Sequence, residues 1–108
     1  MSVKLPTALA SYFAATNRRD VDGMIAGFAG DAIVEDEGRQ HRGRDAIREW
    51  MKETIEKYDF TANPIRSSRM GGKTAVLVSL SGMFPGSPIT IQYQFTVESR
   101  KIARLEIG

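Results

Sequence analysis

The chain of 108 residues is long enough for one domain that buries its own hydrophobic core. It contains no cysteine, which excludes disulfides and thiolate metal sites. A formal net charge of only +2, with acids interleaved among the arginines, argues against a nucleic-acid-binding surface.

The first part of the chain has apolar residues at helical spacing. From Leu5 to Thr16 they recur three or four positions apart, which predicts a first helix over about Pro6–Asn17. Asp20 is a suitable N-cap for a short second helix, because its carboxylate can accept from free backbone N–H groups. We expect that helix to include Phe28 and to end by Gly30.

A short strand pair and a longer helix follow. Ala32–Glu37 is a candidate strand, Gly38 interrupts it, and Arg39–Arg42 is predicted to return beside it. Gly43 then introduces a third helix, whose apolar stripe runs over Ile47–Tyr58.

The second half of the chain is predicted to be a meander of strands. Gly71-Gly72 and Pro85–Pro88 are turn signals that separate them. The predicted strands are Phe60–Arg69, Lys73–Phe84, Ile89–Glu98 and Ile102–Ile107. Ile89–Glu98 alternates strictly, with Tyr93 as the one polar-tipped side chain on its apolar face. Helices early and strands late predict an α+β domain over residues 1–108 with an antiparallel sheet.

Few side chains are candidates for chemistry. Asp36 either shares the inward face of Ala32 and Val34 or meets water in the turn before Gly38. If it faces inward, desolvation would raise its pKa and make it a usable base. Tyr12 lies on the apolar stripe of the first helix, and it and Tyr93 are either core residues or hydrogen-bond donors in a site. A lone histidine with no second ligand at metal spacing gives no triad and no metal motif.

Four segments together resemble bacterial ketosteroid isomerase and its NTF2-like (SnoaL-like) relatives. They are Tyr12, Asn17–Gly23, Phe28–Asp36 and Gly43–Trp50. The resemblance covers the chain closely up to about Met51 and afterwards mainly in strand order and length. It implies a curved mixed or antiparallel sheet wrapped around the N-terminal helices, enclosing an apolar pocket.

The same resemblance implies a catalytic set. Asp36 matches the general base and Tyr12 the oxyanion-hole tyrosine, whereas Tyr93 falls near the second oxyanion donor, an aspartic acid in the isomerase. Met51 stands where the isomerase has a supporting tyrosine. The expected activity is proton transfer next to the carbonyl of a small apolar or cyclic ketone, without cofactor or metal. The walls that we expect around the substrate are Phe13, Met24, Phe28, Val34, Trp50, Phe84, Ile91 and Phe95.

Two other functions stay open at this point. One is a ligand-binding or dimerisation module without turnover, and the other is a SnoaL-like polyketide cyclase that uses a similar aspartate. The expected partners are a small apolar molecule and a second copy of the chain, with no nucleic acid and no membrane. No stretch approaches the ~18 apolar residues of a membrane span, and the N-terminus has no signal-peptide pattern, so we expect a cytoplasmic protein.

Overall fold

A computed structural model describes residues 3–108 of the chain. Three helices come early in the sequence. They are α1 (Thr7–Asn17), α2 (Val21–Ala26) and α3 (Arg44–Tyr58). Six strands complete the fold. They are β1 (Phe28–Asp36), β2 (Arg39–Arg42), β3 (Thr61–Met70), β4 (Lys73–Ser81), β5 (Ile89–Glu98) and β6 (Lys101–Ile107).

The six strands form one curved, open, mixed sheet in the order β2-β1-β6-β5-β4-β3. All neighbouring pairs are antiparallel except β1 and β6, which run parallel. The predicted α+β class is confirmed. The final strand, however, lies in the middle of the sheet, because β6 pairs with β5 on one side and with β1 on the other.

The helices cover one face of the sheet, which we call the inner face, and the core lies between the two layers. Alternation along β5 explains its part in this core: Tyr93 and Phe95 are buried, whereas Gln92 is exposed and Gln94, between the two aromatic residues, is only partly buried. Phe28 and Phe95 lie edge-on to the Tyr12 ring, with centroids 5.8 and 5.7 Å away. Such edge-to-face packing is the preferred arrangement of aromatic rings in a core.

Two predicted boundaries move for reasons of tertiary pairing. Asp20 does cap α2 and accepts from the Gly23 N–H at 3.0 Å, but the helix ends at Ala26. Phe28 is therefore the first residue of β1, where it pairs with Ile102 of the parallel strand. The fourth strand stops at Ser81 rather than Phe84.

Two sets of contacts to the backbone fix segments that border the space between the helices and the sheet. The Asn17 side chain donates to the carbonyl of Ala62 and accepts from its N–H, both at 2.8 Å, which ties the end of α1 to β3. Gly82 packs directly on the end of α3, because a Cβ there would lie 2.6 Å from the carbonyl oxygen of Tyr58. The Met83 N–H donates to the same oxygen at 2.7 Å.

Candidate functional site

A cavity of about 430 Å³ lies between the helices and the inner face of the sheet. Its wall is formed by Tyr12, Met24, Asp36, Glu37, Trp50, Thr54, Tyr58, Phe60, Leu80, Phe84, Pro85, Ile89, Ile91, Tyr93 and Ile107. Most of these side chains are apolar or aromatic, and a few polar groups converge among them. That composition and volume are typical of small-molecule sites in proteins.

Asp36 is the last residue of β1, directly before a tight turn. Glu37 and Gly38 form that turn with φ values of 53° and 74°, which reverses the chain into β2. The partly buried Asp36 carboxylate faces the cavity, and its Oδ2 accepts from Nε1 of Trp50 at 3.0 Å. Burial raises the pKa of Asp36 and the nearby Glu37 charge adds to this, while the Trp50 hydrogen bond and His41 act in the opposite direction.

The two tyrosines expected in the site reach the same cavity from different elements. Tyr12 on α1 and Tyr93 on β5 are each only 3% exposed. Burial raises the pKa of both phenols well above the ordinary value, and the Asp36 charge adds to the effect on each. Both side chains are therefore neutral near pH 7, and a neutral phenol can donate a hydrogen bond.

One face of α3 forms a side of the cavity. Trp50, Thr54 and Tyr58 follow one another at intervals of four residues, so their side chains lie in a row. The Tyr58 hydroxyl donates to Oε1 of Glu37 at 2.6 Å. The Phe84 ring meets the Tyr58 ring edge-on, with the centroids 5.9 Å apart. Tyr58 thus links the β1–β2 turn to the loop after β4, and these groups form what we call the mouth of the cavity.

A smaller polar cavity of about 90 Å³, which we call the annex, lies beside the first. The two share Asp36, Glu37, Trp50, Thr54 and Tyr58. Only the annex is lined by Arg39, His41, Glu53 and Lys57. The His41 ring packs 6.0 Å from the Trp50 ring, centroid to centroid. The basic side chains near Asp36 therefore line the annex and not the main cavity.

The cavity includes half of the predicted wall. Met24, Trp50, Phe84 and Ile91 line it, together with Asp36, Tyr12 and Tyr93. The other four predicted wall residues do not: they are Phe13, Phe28, Val34 and Phe95. Their contact with a substrate stays a prediction. They are buried core residues, and three of them are phenyl rings packed against Tyr12.

Sequence reasoning did not assign several lining residues to the site. The spacing of four residues from Trp50 to Thr54 and Tyr58 could have predicted that all three lie on one face of the helix. Glu37 had no comparable signal, because its place in the wall depends on a turn with positive φ. Ile107 reaches the cavity only because β6 is central in the sheet.

Two other features of residues 3–108 bear on function. In this part of the chain, no three His, Cys, Asp or Glu side chains are grouped in a way that could hold a metal ion. None of its helices has the length and apolar character needed to cross a membrane.

Comparisons with known proteins place this geometry in a family. A model of the SnoaL-like domain matches residues 9–105. A candidate polyketide cyclase from Sinorhizobium meliloti is 42% identical with a TM-score of 0.93, and the match covers 96% of this chain and 95% of that one. A Sphaerobacter thermophilus protein is 27% identical with a TM-score of 0.79, over 94% and 91% of the two chains.

A more distant solved structure shares the fold alone. A Catenulispora acidiphila protein with a ketosteroid isomerase-like fold, solved in complex with trimethylamine, is 17% identical with a TM-score of 0.84. That match covers 97% of this chain and 86% of the other. Comparison with curated proteins gives no match.

Proposed function

The chain belongs to the SnoaL-like domain family, and we propose that it moves a proton next to a carbonyl group of a small apolar ketone. One observation carries this proposal: Asp36, Tyr12 and Tyr93 line a single, largely apolar cavity. A carboxylate there can act as a base, and neutral phenols can act as hydrogen-bond donors. These two roles are what enolate formation requires.

The proposed reaction begins at Asp36. Its carboxylate takes the proton from the carbon next to the substrate carbonyl, and the C–H electron pair becomes a C=C bond. The carbonyl π pair moves onto the oxygen, which becomes the enolate oxyanion. In a β,γ-unsaturated ketone this enolate is conjugated with the β,γ double bond. The electron pair of that double bond takes the proton back from Asp36 at the γ carbon, the enolate C=C pair moves to the α,β bond, and the oxyanion re-forms C=O in the conjugated isomer.

Tyr12 and Tyr93 are proposed to donate hydrogen bonds to the enolate oxygen. A preorganised donor of this kind typically lowers the barrier by about 3 kcal/mol. Their burial favours the role, because a hydrogen bond to a developing charge is stronger where water is excluded. Trp50 is proposed to orient Asp36, since its indole N–H holds one carboxylate oxygen and leaves the other for the substrate.

The test is isomerisation of a β,γ-unsaturated 3-ketosteroid, followed by the ultraviolet absorbance of the conjugated product. We expect turnover by the wild type and a loss of at least about 100-fold in Asp36→Asn, the usual contribution of a general base. Tyr12→Phe and Tyr93→Phe should each lower kcat. Ile102→Val is the control, because Ile102 is buried outside the cavity wall. Turnover that Asp36→Asn leaves unchanged would refute the proposal.

A second candidate is polyketide cyclisation, which is favoured by the 42% identity to the Sinorhizobium meliloti protein. The first step is the same, with Asp36 removing a proton from a carbon between two carbonyls. The carbanion then attacks a further carbonyl carbon of the same chain, whose oxygen takes the proton. Cyclisation of a linear poly-β-ketone ester without steroid turnover would support this candidate. Tight ligand binding without either reaction would indicate a binding module.

A homodimer and a cytoplasmic location are further proposals. The outer face of β5 carries Thr90, Gln92, Gln94 and Thr96, a polar surface on which a second copy could pair. Light scattering on the eluting peak of a size-exclusion column measures the mass directly. A mass near the 12.0 kDa of one chain at all accessible concentrations would refute the dimer.

A further inference from the structure

The charges in the main cavity wall have only one sign. Asp36 and Glu37 line it, and among residues 3–108 the wall contains no Lys, Arg or His. Neither acid is in an ion pair within this described part of the chain, whereas the neighbouring Glu35 pairs with Arg104 at 2.8 Å. The bases nearest to these two acids, Arg39, His41 and Lys57, line the annex and not the main cavity. Within the main cavity the two carboxylates therefore favour a positively charged ligand and disfavour an anion.

The mouth is also rich in aromatic surface. Tyr58 and Phe84 contribute rings there, and Trp50 and Phe60 add rings to the same cavity wall. Tyr58 fixes the Glu37 carboxylate through Oε1, which leaves the second oxygen for another donor. Aromatic faces beside a carboxylate are the groups that bind alkylammonium ions, through cation–π attraction and charge. Lys57 already makes such a contact, with Nζ 5.1 Å from the Tyr58 ring centroid, although it does not line the main cavity.

The third observation concerns the hydroxyl group of Tyr93. Its side chain is only 3% exposed and lines the cavity, and its hydroxyl forms no hydrogen bond with residues 3–108. Among residues 3–108 no fully buried side-chain polar atom lacks a hydrogen-bond partner, so the Tyr93 hydroxyl opens onto the cavity and is available to a ligand atom there. Because its phenol stays protonated, the complementary ligand atom is an acceptor such as a carbonyl oxygen.

From these three observations we propose that the cavity selects ketones that carry an alkylammonium group, with the carbonyl at Tyr93 and the ammonium at Glu37. The inference rests on the proposed function, since it takes this cavity to be the substrate site, and it adds the charge class of the substrate. An amino ketone offers an acceptor to Tyr93 and a positive charge to Glu37, whereas a keto acid places a second negative charge beside Glu37.

The single tryptophan makes the test direct, because Trp50 is itself part of the wall. Three probes share one acetylphenyl body: 4-acetylbenzyl-trimethylammonium, its neutral 2,2-dimethylpropyl isostere, and 4-acetylphenylacetate. Trp50 fluorescence reports occupancy, and calorimetry gives the Kd of each. We expect the cation to bind about 10-fold or more tighter than the anion, with the preference reduced by added salt.

Two variants assign the preference to a residue. Glu37→Gln should lower the ratio of cation to neutral affinity several-fold. Glu53→Gln removes the same charge from the annex, outside the main cavity, and should leave that ratio unchanged. Equal Kd values for the three probes, no binding of any probe, or equal effects of the two variants would overturn the inference.

The outcome is separable from that of the proposed function. Steroid turnover that depends on Asp36, together with no charge preference, would overturn only the charge class. A cation preference that depends on Glu37, together with no turnover, would refute the proposed reaction and support the cavity as an alkylammonium ketone site.

Discussion

Removing the indole N–H at Trp50 should make Asp36 a stronger base. In Trp50→Phe the aromatic ring stays in the wall, but the hydrogen bond of 3.0 Å to Oδ2 is lost. That bond favours the ionised carboxylate and lowers the pKa of Asp36, against the larger effect of burial. Its loss should therefore raise the pKa further.

The size of the change follows from the strength of the bond. A hydrogen bond to a charged group contributes about 1.5–3 kcal/mol to stability, and one pKa unit corresponds to about 1.4 kcal/mol. Because Asp36 is only partly buried, we take the lower end of that range. The expected increase is about one pKa unit.

The assay is a carboxyl NMR titration of Asp36, with the acid limb of kcat/KM against pH as a second readout. The limb should move to higher pH by the same amount. Tyr58→Phe is the control, because it removes a hydroxyl donor at the same mouth but one that binds Glu37. An Asp36 pKa that falls or does not move in Trp50→Phe would refute the reasoning.

Three further predictions concern stability, each measured by urea denaturation. The pKa of Asp36 is higher in the folded state than in the unfolded state. Between these two pKa values the folded state binds more protons than the unfolded state, so the free energy of unfolding falls as pH rises from the lower value to the higher one. Asp36→Asn should therefore be more stable than the wild type at pH 7, with the difference vanishing below about pH 4; lower stability at pH 7 would contradict this. Gly82→Ala should cost about 1–3 kcal/mol and weaken ligand binding, because its Cβ would meet three backbone atoms of Tyr58–Phe60 within 3.0 Å. Gly30→Ala, whose Cβ meets no atom within 4 Å, is its control. Asn17→Ala should lower the free energy of unfolding by about 2 kcal/mol, because two hydrogen bonds to Ala62 are lost. An unchanged denaturation midpoint would contradict a stabilising role for these bonds.

The sequence was sufficient for the elements whose signals are local. α3 and β5 were predicted nearly to their ends, because spacing of three and four along one and strict alternation along the other are set by burial of a single face. The N-cap Asp20 was predictable for the same reason, since its partner Gly23 is three residues away.

What could not be predicted depends on contacts between distant segments. Phe28 is an acceptable helix residue by local pattern and becomes a strand residue only through Ile102. Asp36 and Trp50 were each named, but their hydrogen bond joins a strand end to a helix across 14 positions, with no local signal. The four core residues assigned to the cavity wall show the same limit, because an apolar pattern indicates burial but not which buried side chains border empty space.

The central position of β6 has a consequence for how the molecule acquires its structure. Until Lys101–Ile107 inserts, the inner edge of β1 has no hydrogen-bonding neighbour, and the edge of β5 is equally open. The parallel pair joins Phe28 to Ile102, so the ladder must close a loop of more than seventy residues late in folding. During synthesis on a ribosome, the helices and the β1–β2 hairpin emerge first and must wait with an unpaired strand edge, a state prone to self-association.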